Sequence, residues 1–578
     1  MNDPALQTEA AEAYHTALKA GLRFVAEQNG SGRSGLLTVL EPLLSECCGD
    51  VPLGLFEVPL KKIRGTYAAG RSNALSGNFM PLLGEKSEFS AKWRSLYVSA
   101  LVKGIVEPIR VFEYLGYYYV MEGHKRVSVA SVLSHYSLLA EASRLLPPPG
   151  GETPEFAVFE EILGGDRKKI IRHMWFLSPG RVTELRELAG GDESLLEDAF
   201  MAFRAAYHKQ GFHETFPGIT TGDAFWQYVK IYGFPGGTEE AVQPRNLARC
   251  RPQWELLEHP EPFKTVSDPA GTGSKPRFSV ARGTPPPVTF AYRETPRTRF
   301  SAEAHEAGLF ALRRAFPGLP VTVVDGLPAG LGAYEAMSLA KGNILFATDP
   351  SLSGAALRVA LERKNTLVLL CHDEPVGVTG TYYAKTEEAA FLMGALAGSL
   401  SESARIGWLR PPYDLGGRGR DLQAFAQGAS AARPAARVYM AEADGPLGAV
   451  LRRWAERGID TLILPRTAYV ARPAVKAFPG VFAHLCTLSR DGTIAEVLAA
   501  FAWHWEAFYI KFIRGILEGG IPADQPHYRM GADSGVLGLH LTSRADGARH
   551  CLSAYRHALG AGLIVPVDEN SPVEVYEG

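Results

Sequence analysis

The chain has 578 residues, with 60 Lys and Arg against 62 Asp and Glu, and a formal net charge of -2. This balance excludes a broad basic surface of the kind that binds nucleic acid. At about 100–200 residues per domain, the length indicates several lobes rather than one core. The content of hydrophobic residues (46%) and charged residues (21%) is typical of soluble globular proteins. The six cysteines include no C-x-x-C pair, so zinc ribbons and thioredoxin-like chemistry have no support.

The N-terminal segment, residues 1–50, predicts a helix rather than an export signal. It begins MNDPALQTEAAEAYHTALKAGLRF, which carries acidic residues and lacks both an early basic cluster and an apolar run of signal-peptide length. No later stretch reaches the ~18 consecutive apolar residues of a membrane-spanning helix. We therefore expect a cytoplasmic protein without membrane insertion.

A mixed α+β segment is predicted over residues 51–140. Its strand-like runs VPLKKI, PIRVFEYL and YYYVME precede a helix that starts near Val127. Residues 141–240 have the pattern of a helical extension, which ends in the aromatic-rich run DAFWQYVKIYGF. Residues 241–287 are rich in Pro, Gly and Ser, a composition that predicts an interdomain linker.

Strands and helices alternate over residues 288–578. The runs VTFAYRE, PVTVVDGL, NILFATD and TLVLLCHDE have strand length, and the helix EEAAFLMGALAGSL is followed by strand RIGWL, helix DLQAFAQGASAA, strand ARVYMAE, helix PLGAVLRRWAERG and strand DTLILPR. Such alternation is typical of parallel sheets with helices on both faces. Because open parallel sheets bind ligands beyond the carboxyl ends of their strands, the polar residues after these runs are candidate site residues.

The run YYYVMEGHKRVSVASVL places a glycine turn between a strand and a helix. Gly123 permits a tight turn, and the free N–H groups at the helix start favour an anion, as do the charges of Lys125 and Arg126. This run, with IRGTYAAGRSNALSGNFMPL upstream, resembles the ParB/sulfiredoxin superfamily, in which a G-x-x-R turn holds nucleotide phosphates. The resemblance implies nucleotide or phosphate binding by Gly123, His124, Lys125 and Arg126.

The same resemblance leaves catalysis open. Members of the superfamily include nucleotide hydrolases, sulfinic-acid reductases and serine kinases. A reductase needs a cysteine in this turn, where the chain has His124, so the order of residues is closer to the kinase-like members. Glu122 is then the candidate catalytic residue, with a magnesium-bound nucleotide as cofactor and Glu107 or Glu113 as the second carboxylate. A turn retained without catalysis fits the pattern equally well.

The segments GTYYAKTEEAAFLMGALAGSLSESARIGWL, WHWEAFYIKFIRGILEGG and GADSGVLGL resemble the BMP family of substrate-binding proteins, to which purine-nucleoside receptors belong. The resemblance spans about residues 288–567, and its most specific mark is the small-residue helix Glu388–Gly398. It implies the type I periplasmic-binding fold, in which two Rossmann-like lobes close on a ligand by hinge motion.

A nucleoside needs an aromatic surface for its base and acceptors for its ribose hydroxyls. The strand ends supply both, and the candidate ligand-binding residues are Phe300, Asp373, Tyr382, Tyr413, Asp414 and Asp533. For any single aromatic, packing within a lobe explains the pattern equally well. Arg299 and Ser301 stand in the first loop where the family's nucleoside receptors carry Asp and Asn, so an anionic ligand is the alternative to a purine nucleoside.

Three functions follow from these patterns. The first is a cytoplasmic small-molecule sensor whose closure on a nucleoside or related heterocycle alters the N-terminal part. The second is a nucleotide-dependent enzyme, an NTPase or small-molecule kinase, that uses the Glu122-Gly123-His124-Lys125-Arg126 turn. The third is a substrate-binding protein of an ABC transporter, which the N-terminal composition disfavours.

The predicted linker gives a direct test of the domain boundary. Its composition cannot bury enough apolar surface to order the segment, so we expect trypsin to cut first at Arg282. Limited proteolysis followed by mass spectrometry checks this. Cleavage at Arg282 no faster than cleavage within residues 288–578 would place the boundary elsewhere.

Overall fold

The computed structural model describes residues 4–44, 47, 49–71, 73–163, 174–259, 265–266, 285–293, 299–410, 420–442, 447–465, 481–518, 526–567 and 574–577. The chain divides into two compact units. Unit 1 comprises Met1–Val229 and Phe234–Leu247, and unit 2 comprises Lys230–Gly233 and Ala248–Gly578. Both are mixed α/β structures with sheets rich in parallel pairs.

The first part of unit 1 contains α1 (Pro4–Gly30), β1 (Thr38–Val39), α2 (Glu41–Leu44), β2 (Asp50–Pro59), β3 (Ile63–Thr66), α3 (Glu88–Lys103), β4 (Ile109–Tyr114), β5 (Tyr117–Glu122), α4 (His124–Val132) and β6 (Ser137–Leu145). Among the described residues, its sheet has the order β1-β3-β5-β4-β6-β2. Alternate positions of β4 are buried, and Val111, Val120 and Val127 form a core between the sheet and α4. The strands predicted at PIRVFEYL and YYYVME are therefore confirmed, whereas the run VPLKKI is not a strand, because it covers the end of β2, a 3-10 turn at Leu60–Lys62 and the start of β3.

A helical layer follows, with α5 (Pro154–Leu163), α6 (Arg181–Leu188), α7 (Glu193–Lys209), α8 (Phe212–Thr215) and α9 (Thr221–Tyr232). Helix α10 (Pro244–Glu258) begins in unit 1 and belongs to unit 2 from Ala248 onward. The centre of the layer is aromatic, because Phe203 of α7 contacts Phe225 and Tyr228 of α9 at ring-centroid distances of 5.4 and 5.2 Å. Asp223 is fully buried and accepts hydrogen bonds from the backbone of Leu177 and Thr220. This carboxylate fixes the start of α9.

Two boundaries differ from the sequence prediction. The sheet of unit 1 runs past both ends of residues 51–140, because β1 lies before them and β6 ends at Leu145. The stretch from Pro244 to Glu258 is a helix rather than the start of a linker. Its buried residues Leu247, Cys250 and Trp254 have helical spacing, a signal that the neighbouring prolines and glycines obscured. Most of the remaining predicted linker lies outside the described residues.

Unit 2 begins with an all-parallel sheet. The elements are β7 (Thr265–Val266), β8 (Val288–Ala291), α11 (Arg299–Ala315), β9 (Val321–Val324), α12 (Tyr334–Leu339), β10 (Ile344–Ala347), α13 (Ser353–Glu362), β11 (Leu367–Cys371), β12 (Gly380–Ala384) and α14 (Thr386–Leu400). Strands β8, β10 and β11 are buried at every position, as expected for a parallel sheet covered on both faces. The strand order of this first sheet is β7-β18-β12-β11-β10-β8-β9, where β18 is His527–Met530.

The second sheet of unit 2 is formed from β13 (Arg405–Arg410), α15 (Arg420–Ala432), β14 (Arg437–Glu442), α16 (Leu447–Glu456), β15 (Thr461–Pro465), β16 (Val481–Leu488), β17 (Ile494–Trp503), α17 (Trp505–Leu517), β19 (Leu537–Leu541), α18 (Arg549–Gly560) and β20 (Val575–Glu577). Its order is β19-β17-β16-β15-β13-β14-β20. The chain passes between the two sheets at β12–α14, at β17–α17 and at β18–β19.

The second sheet corrects the expectation of parallel strands throughout. Strands β15, β16, β17 and β19 pair antiparallel. The cause is a hairpin turn after Leu488, where Gly492 has a φ of 78° and Ser489 exchanges backbone hydrogen bonds with Gly492 and Thr493. An Asp-Gly pair between apolar runs is a strong hairpin signal, and Asp491-Gly492 carries it in the sequence. Hydrogen bonds from Ser489 and Thr493 lower the pKa of Asp491 to about 2.

Helices α14 and α15 approach each other so closely that their backbones touch. A Cβ on Gly394 would lie 1.9 Å from the carbonyl oxygen of Phe425, and one on Gly428 would lie 2.0 Å from that of Phe391. The small residues that mark the predicted helix Glu388–Gly398 are therefore required by packing.

We expect Gly428→Ala to lower the free energy of unfolding by roughly 1–3 kcal/mol, the usual cost of overpacking a close-packed contact. Gly448→Ala in α16 is the matched control, because a Cβ there meets no atom within 4 Å. The control should be neutral or stabilising by up to about 1 kcal/mol, since alanine favours helix over glycine. Urea unfolding followed by tryptophan fluorescence measures both variants, and equal midpoints would contradict the packing argument.

Candidate functional site

The carboxyl edge of the first sheet of unit 2 gathers polar residues from three strands. Arg293 follows β8, Asp349 follows β10, and Asp373 follows β11. Arg293 Nη1 lies 4.0 Å from Asp349 Oδ1, which also accepts a hydrogen bond of 2.9 Å from the backbone N–H of Ser351. Asp349 therefore starts the short helical turn after β10, and its carboxylate is only partly available to a ligand.

The side chain of Asp373 is more exposed than that of Asp349 at the same edge. The Asp373 side chain is 29% exposed, and its Oδ1 lies 3.3 Å from Nδ1 of His372. His527 stands nearby on β18, with Nδ1 at 2.5 Å from Thr381 Oγ1. Burial, followed by the charges of Arg529 and His372, lowers the pKa of His527 to about 4, so its imidazole is neutral at pH 7. The edge thus offers a carboxylate beside neutral hydrogen-bonding groups.

A second set of charged residues lies where the chain crosses between the sheets. Glu388 of α14 is buried, and its carboxylate accepts hydrogen bonds from Lys385 Nζ at 2.8 Å and from the backbone N–H of Ala532 at 2.7 Å. Arg529 Nη2 donates to Glu387 Oε1 at 2.9 Å. These contacts join the β12–α14 crossing to the β18–β19 crossing.

The aromatic residues below this edge form a hydrogen-bonded core. Tyr382 is fully buried, its ring stacks on Phe508 at 4.9 Å, and its hydroxyl lies 3.1 Å from that of Tyr509. Nδ1 of His305 lies 2.7 Å from the same Tyr509 hydroxyl, and its ring stacks on Trp505 at 4.8 Å. Burial lowers the pKa of His305 to about 3, so this imidazole is neutral.

The structure places the predicted ligand residues in three different settings. Asp373 lies at the open edge, whereas Tyr382 belongs to the core and presents no surface for stacking on a ligand. Asp533 is exposed after β18 and packs against Gly560, where an added Cβ would lie 2.7 Å from its Oδ2. Phe300 is in α11, but its side chain is outside the described residues, as are Tyr413 and Asp414.

Sequence reasoning did not single out Glu388, Arg529 or His527. Each is polar and lies at a crossing or a strand start, but single polar residues at such positions are usual in α/β proteins. The sequence gives no sign that Glu388 is buried, because it stands in a helix beside the partly exposed Glu387.

The predicted phosphate turn of unit 1 has the expected backbone. Gly123 has a φ of 101° and directly precedes α4. His124 Nε2 lies 2.8 Å from Thr66 Oγ1, and Lys125 Nζ lies 5.1 Å from the ring centre of Phe89. Arg126, however, is held within unit 1. Its guanidinium donates to the carbonyl of Pro108 and lies 3.4 and 3.5 Å from the carboxylates of Glu107 and Glu122.

The acidic residues near the turn do not assemble a magnesium site. Glu107 and Glu122 both face Arg126, and Glu113 is buried in an ion pair with Arg144. Within the described ranges, no group of three or more His, Cys, Asp or Glu residues could hold a metal ion. In the part of the chain that the structure describes, none of the helices has the length and apolarity needed to cross a bilayer.

No family model and no curated protein matches this chain. Among solved structures, an ABC transporter solute-binding protein from Conexibacter woesei is similar over 48% of this chain and 97% of its own, with 15% identity and a TM-score of 0.35. One from Aeropyrum pernix covers 50% and 95% at 13% identity and a TM-score of 0.35. A transcriptional activator of the comK gene from Bacillus halodurans covers 47% and 96% at 14% identity and a TM-score of 0.34. At these TM-scores the likeness carries no conclusion about ligand or partner.

The buried carboxylate at the crossing provides a stability test. We expect Glu388→Gln to lower the free energy of unfolding by roughly 1–3 kcal/mol, because the amide cannot accept from both Lys385 and Ala532 as the carboxylate does. Glu402→Gln is the matched control, since Glu402 is exposed. Its effect should stay within about 0.5 kcal/mol. Urea midpoints that shift equally for both variants would show that Glu388 does not stabilise the crossings.

Proposed function

We propose that this protein binds a small polar molecule in unit 2 and that unit 2 has a two-lobed architecture of the type I periplasmic-binding kind, as in the BMP family. The observation that carries the proposal is the path of the chain, which crosses between the two sheets of unit 2 three times. Two sheets joined by several adjacent crossings can close on a ligand by a hinge motion.

The residues around the crossings support this assignment. Ligands of parallel sheets bind beyond the carboxyl ends of the strands, and Asp373 lies there with part of its carboxylate exposed. The Glu388 and Arg529 contacts fix the crossings, so the lobes can move about a defined hinge. A binding site that combines the carboxylate of Asp373 with the neutral imidazole of His527 suits a ligand rich in hydroxyl and amide donors.

A nucleoside-like ligand is our specific proposal within that class. Its ribose hydroxyls would donate to Asp373, and Asp414 and Asp533 are further acceptors proposed on sequence grounds. Phe300 and Tyr413 remain the proposed stacking residues, whereas Tyr382 is already packed against Phe508. The aromatic rings of the core around Tyr382 would then support the carboxyl edge of the first sheet rather than contact the base of the ligand.

Unit 1 is proposed as a ParB-like domain, and the whole chain as a cytoplasmic ligand sensor. The backbone of the Gly123 turn supports the first assignment. Nucleotide-dependent chemistry at this turn is the weaker alternative, because Arg126 already satisfies its donors with Pro108, Glu107 and Glu122. A transport role is the other alternative, and cell fractionation with an antibody to the protein separates it from a cytoplasmic sensor.

Calorimetric titration of the full chain with adenosine, guanosine and inosine tests the ligand. We expect saturable binding of at least one nucleoside, weakened by about 1.5–3 kcal/mol in Asp373→Asn, the usual scale for a hydrogen bond to a charged group.

Glu402→Gln is again the control, because Glu402 precedes β13 and lies at the amino end of its sheet. It should leave the affinity unchanged. If all three nucleosides fail to bind at millimolar concentration, the nucleoside assignment is wrong. If one binds with the same affinity to Asp373→Asn, the ligand lies elsewhere.

A further inference from the structure

Unit 1 contains a cavity of about 280 Å³ that the Gly123 turn does not reach. It lies between the sheet and the helical layer, and strands β2, β3 and β5 form one wall while α7, the start of α9 and the segment around Trp175 form the other. A volume of this order is close to the lower end of the range for small-molecule sites.

The cavity is lined by cations that lack acidic partners. Lys61, Lys62, Arg64 and Arg204 line it, and no described carboxylate lies within 4.0 Å of their nitrogens. Glu57 lines it as well, and accepts a hydrogen bond of 2.8 Å from Ser137. Burial lowers the pKa values of Lys62 and Arg204, and the carboxylates that act on them, Asp223 on Lys62 and Glu57 on Arg204, only partly offset this effect.

The wall contains a buried ion pair between Arg144 and Glu113, and the guanidinium of Arg144 keeps one nitrogen without a hydrogen-bond acceptor among the described residues. Arg144 is 3% exposed, and its Nε donates to Glu113 while Nη2 donates to the carbonyl of Met174 at 3.4 Å. Its Nη1 has no hydrogen-bond partner in the described part of the chain. A buried guanidinium nitrogen without an acceptor lowers the stability of the fold. Nη1 of Arg144 is therefore a hydrogen-bond donor that a ligand in the cavity could satisfy.

The rest of the lining is flat and aromatic. The guanidinium carbon of Arg64 lies 3.7 Å from the ring centre of Tyr117, and that of Arg204 lies 5.2 Å from the ring centre of Phe56. His208 and His213 stack at 4.2 Å with their planes 5° apart. Burial lowers the pKa of His208 to about 3 and also lowers that of His213, so neither ring adds charge at pH 7.

Glycine at two positions makes room for the indole that closes the wall. Gly116 has a φ of 82°, and a Cβ there would lie 2.3 Å from Nε1 of Trp175. A Cβ on Gly222 would lie 2.2 Å from the carbonyl oxygen of Trp175. Trp175 therefore fits against the β4–β5 turn and the start of α9 only because both positions lack side chains.

We infer that this cavity is a second binding site, for a small planar aromatic molecule that carries an anionic group, a carboxylate or a phosphate. The cations supply the counter-charge, and charge-assisted hydrogen bonds to them fix the anionic group. The tyrosine, tryptophan and imidazole rings provide flat surfaces for the aromatic part. A volume of this size suits a small molecule rather than a polymer, which agrees with the nearly neutral net charge of the chain.

Matched pairs of charged and uncharged probes test the site in the full chain. Calorimetry or ligand-observed NMR would compare indole-3-acetate with indole-3-acetamide, and phenyl phosphate with phenol. We expect saturable binding of at least one anion and a loss of about tenfold or more for its uncharged partner. The two anions distinguish a carboxylate from a phosphate ligand.

The double variant Arg64→Gln/Arg204→Gln should weaken the anion by about tenfold or more, while Arg23→Gln, an exposed arginine of α1, should leave it unchanged. Lys61→Gln provides a second test at an exposed residue, with circular dichroism to confirm that each variant is folded. Nucleoside binding in unit 2 should be the same in all these variants, which separates this site from the one proposed above. Failure of both anions to bind at millimolar concentration, or binding that none of the lining variants changes, would overturn the inference.

Discussion

The backbone contact between α14 and α15 is the constraint on which unit 2 depends. Gly394 and Gly428 each face a carbonyl of the opposite helix at a distance that a side chain would not permit. Because α14 precedes the first strand of the second sheet and α15 follows it, this contact packs two consecutive helices against each other beside that sheet. The buried Glu388 then ties the start of α14 to Ala532 in the return crossing. The close backbone contact and the buried carboxylate therefore both lie in α14.

Much of unit 2 could be predicted from the sequence because its signals are local. The apolar runs that become β8, β10, β11 and β13 lie where the strands are found, and polar residues such as Asp373 follow them. Hydrophobic periodicity does not reveal the direction of a strand. The antiparallel half of the second sheet could be predicted only from the hairpin signal of the Asp491-Gly492 turn. Burial is equally hidden, since Tyr382 follows a strand pattern that would fit either a crevice or a core.

The cavity of unit 1 could not be predicted in this way. Its cations Lys62, Arg64, Arg144 and Arg204 lie up to 142 residues apart in the chain and come from a turn, two strands and a helix that share no motif. The G-x-x-R turn was the basis of the sequence prediction because its glycine and arginine stand three positions apart, at Gly123 and Arg126. In the structure the arginine of that turn is engaged by carbonyl and carboxylate oxygens, while arginines outside any motif face a cavity. The spacing of residues in a motif predicts the local backbone geometry. Whether a charged side chain has a counter-charge depends on contacts between residues that are distant in the sequence.

The two sites select ligands of opposite electrostatic character. At the open edge of unit 2, the carboxylate of Asp373 stands near the neutral imidazole of His527, and Arg293 of the same edge lies beside Asp349, so an anion placed next to Asp373 would face a like charge. In the cavity of unit 1 the reverse holds, because a neutral molecule would leave Lys62 and Arg204 buried without an anion. A phosphorylated nucleoside would satisfy neither site fully, since its sugar fits the carboxylate edge and its phosphate the cationic cavity. Each site thus gains specificity from the charges that it leaves unpaired in the absence of a ligand.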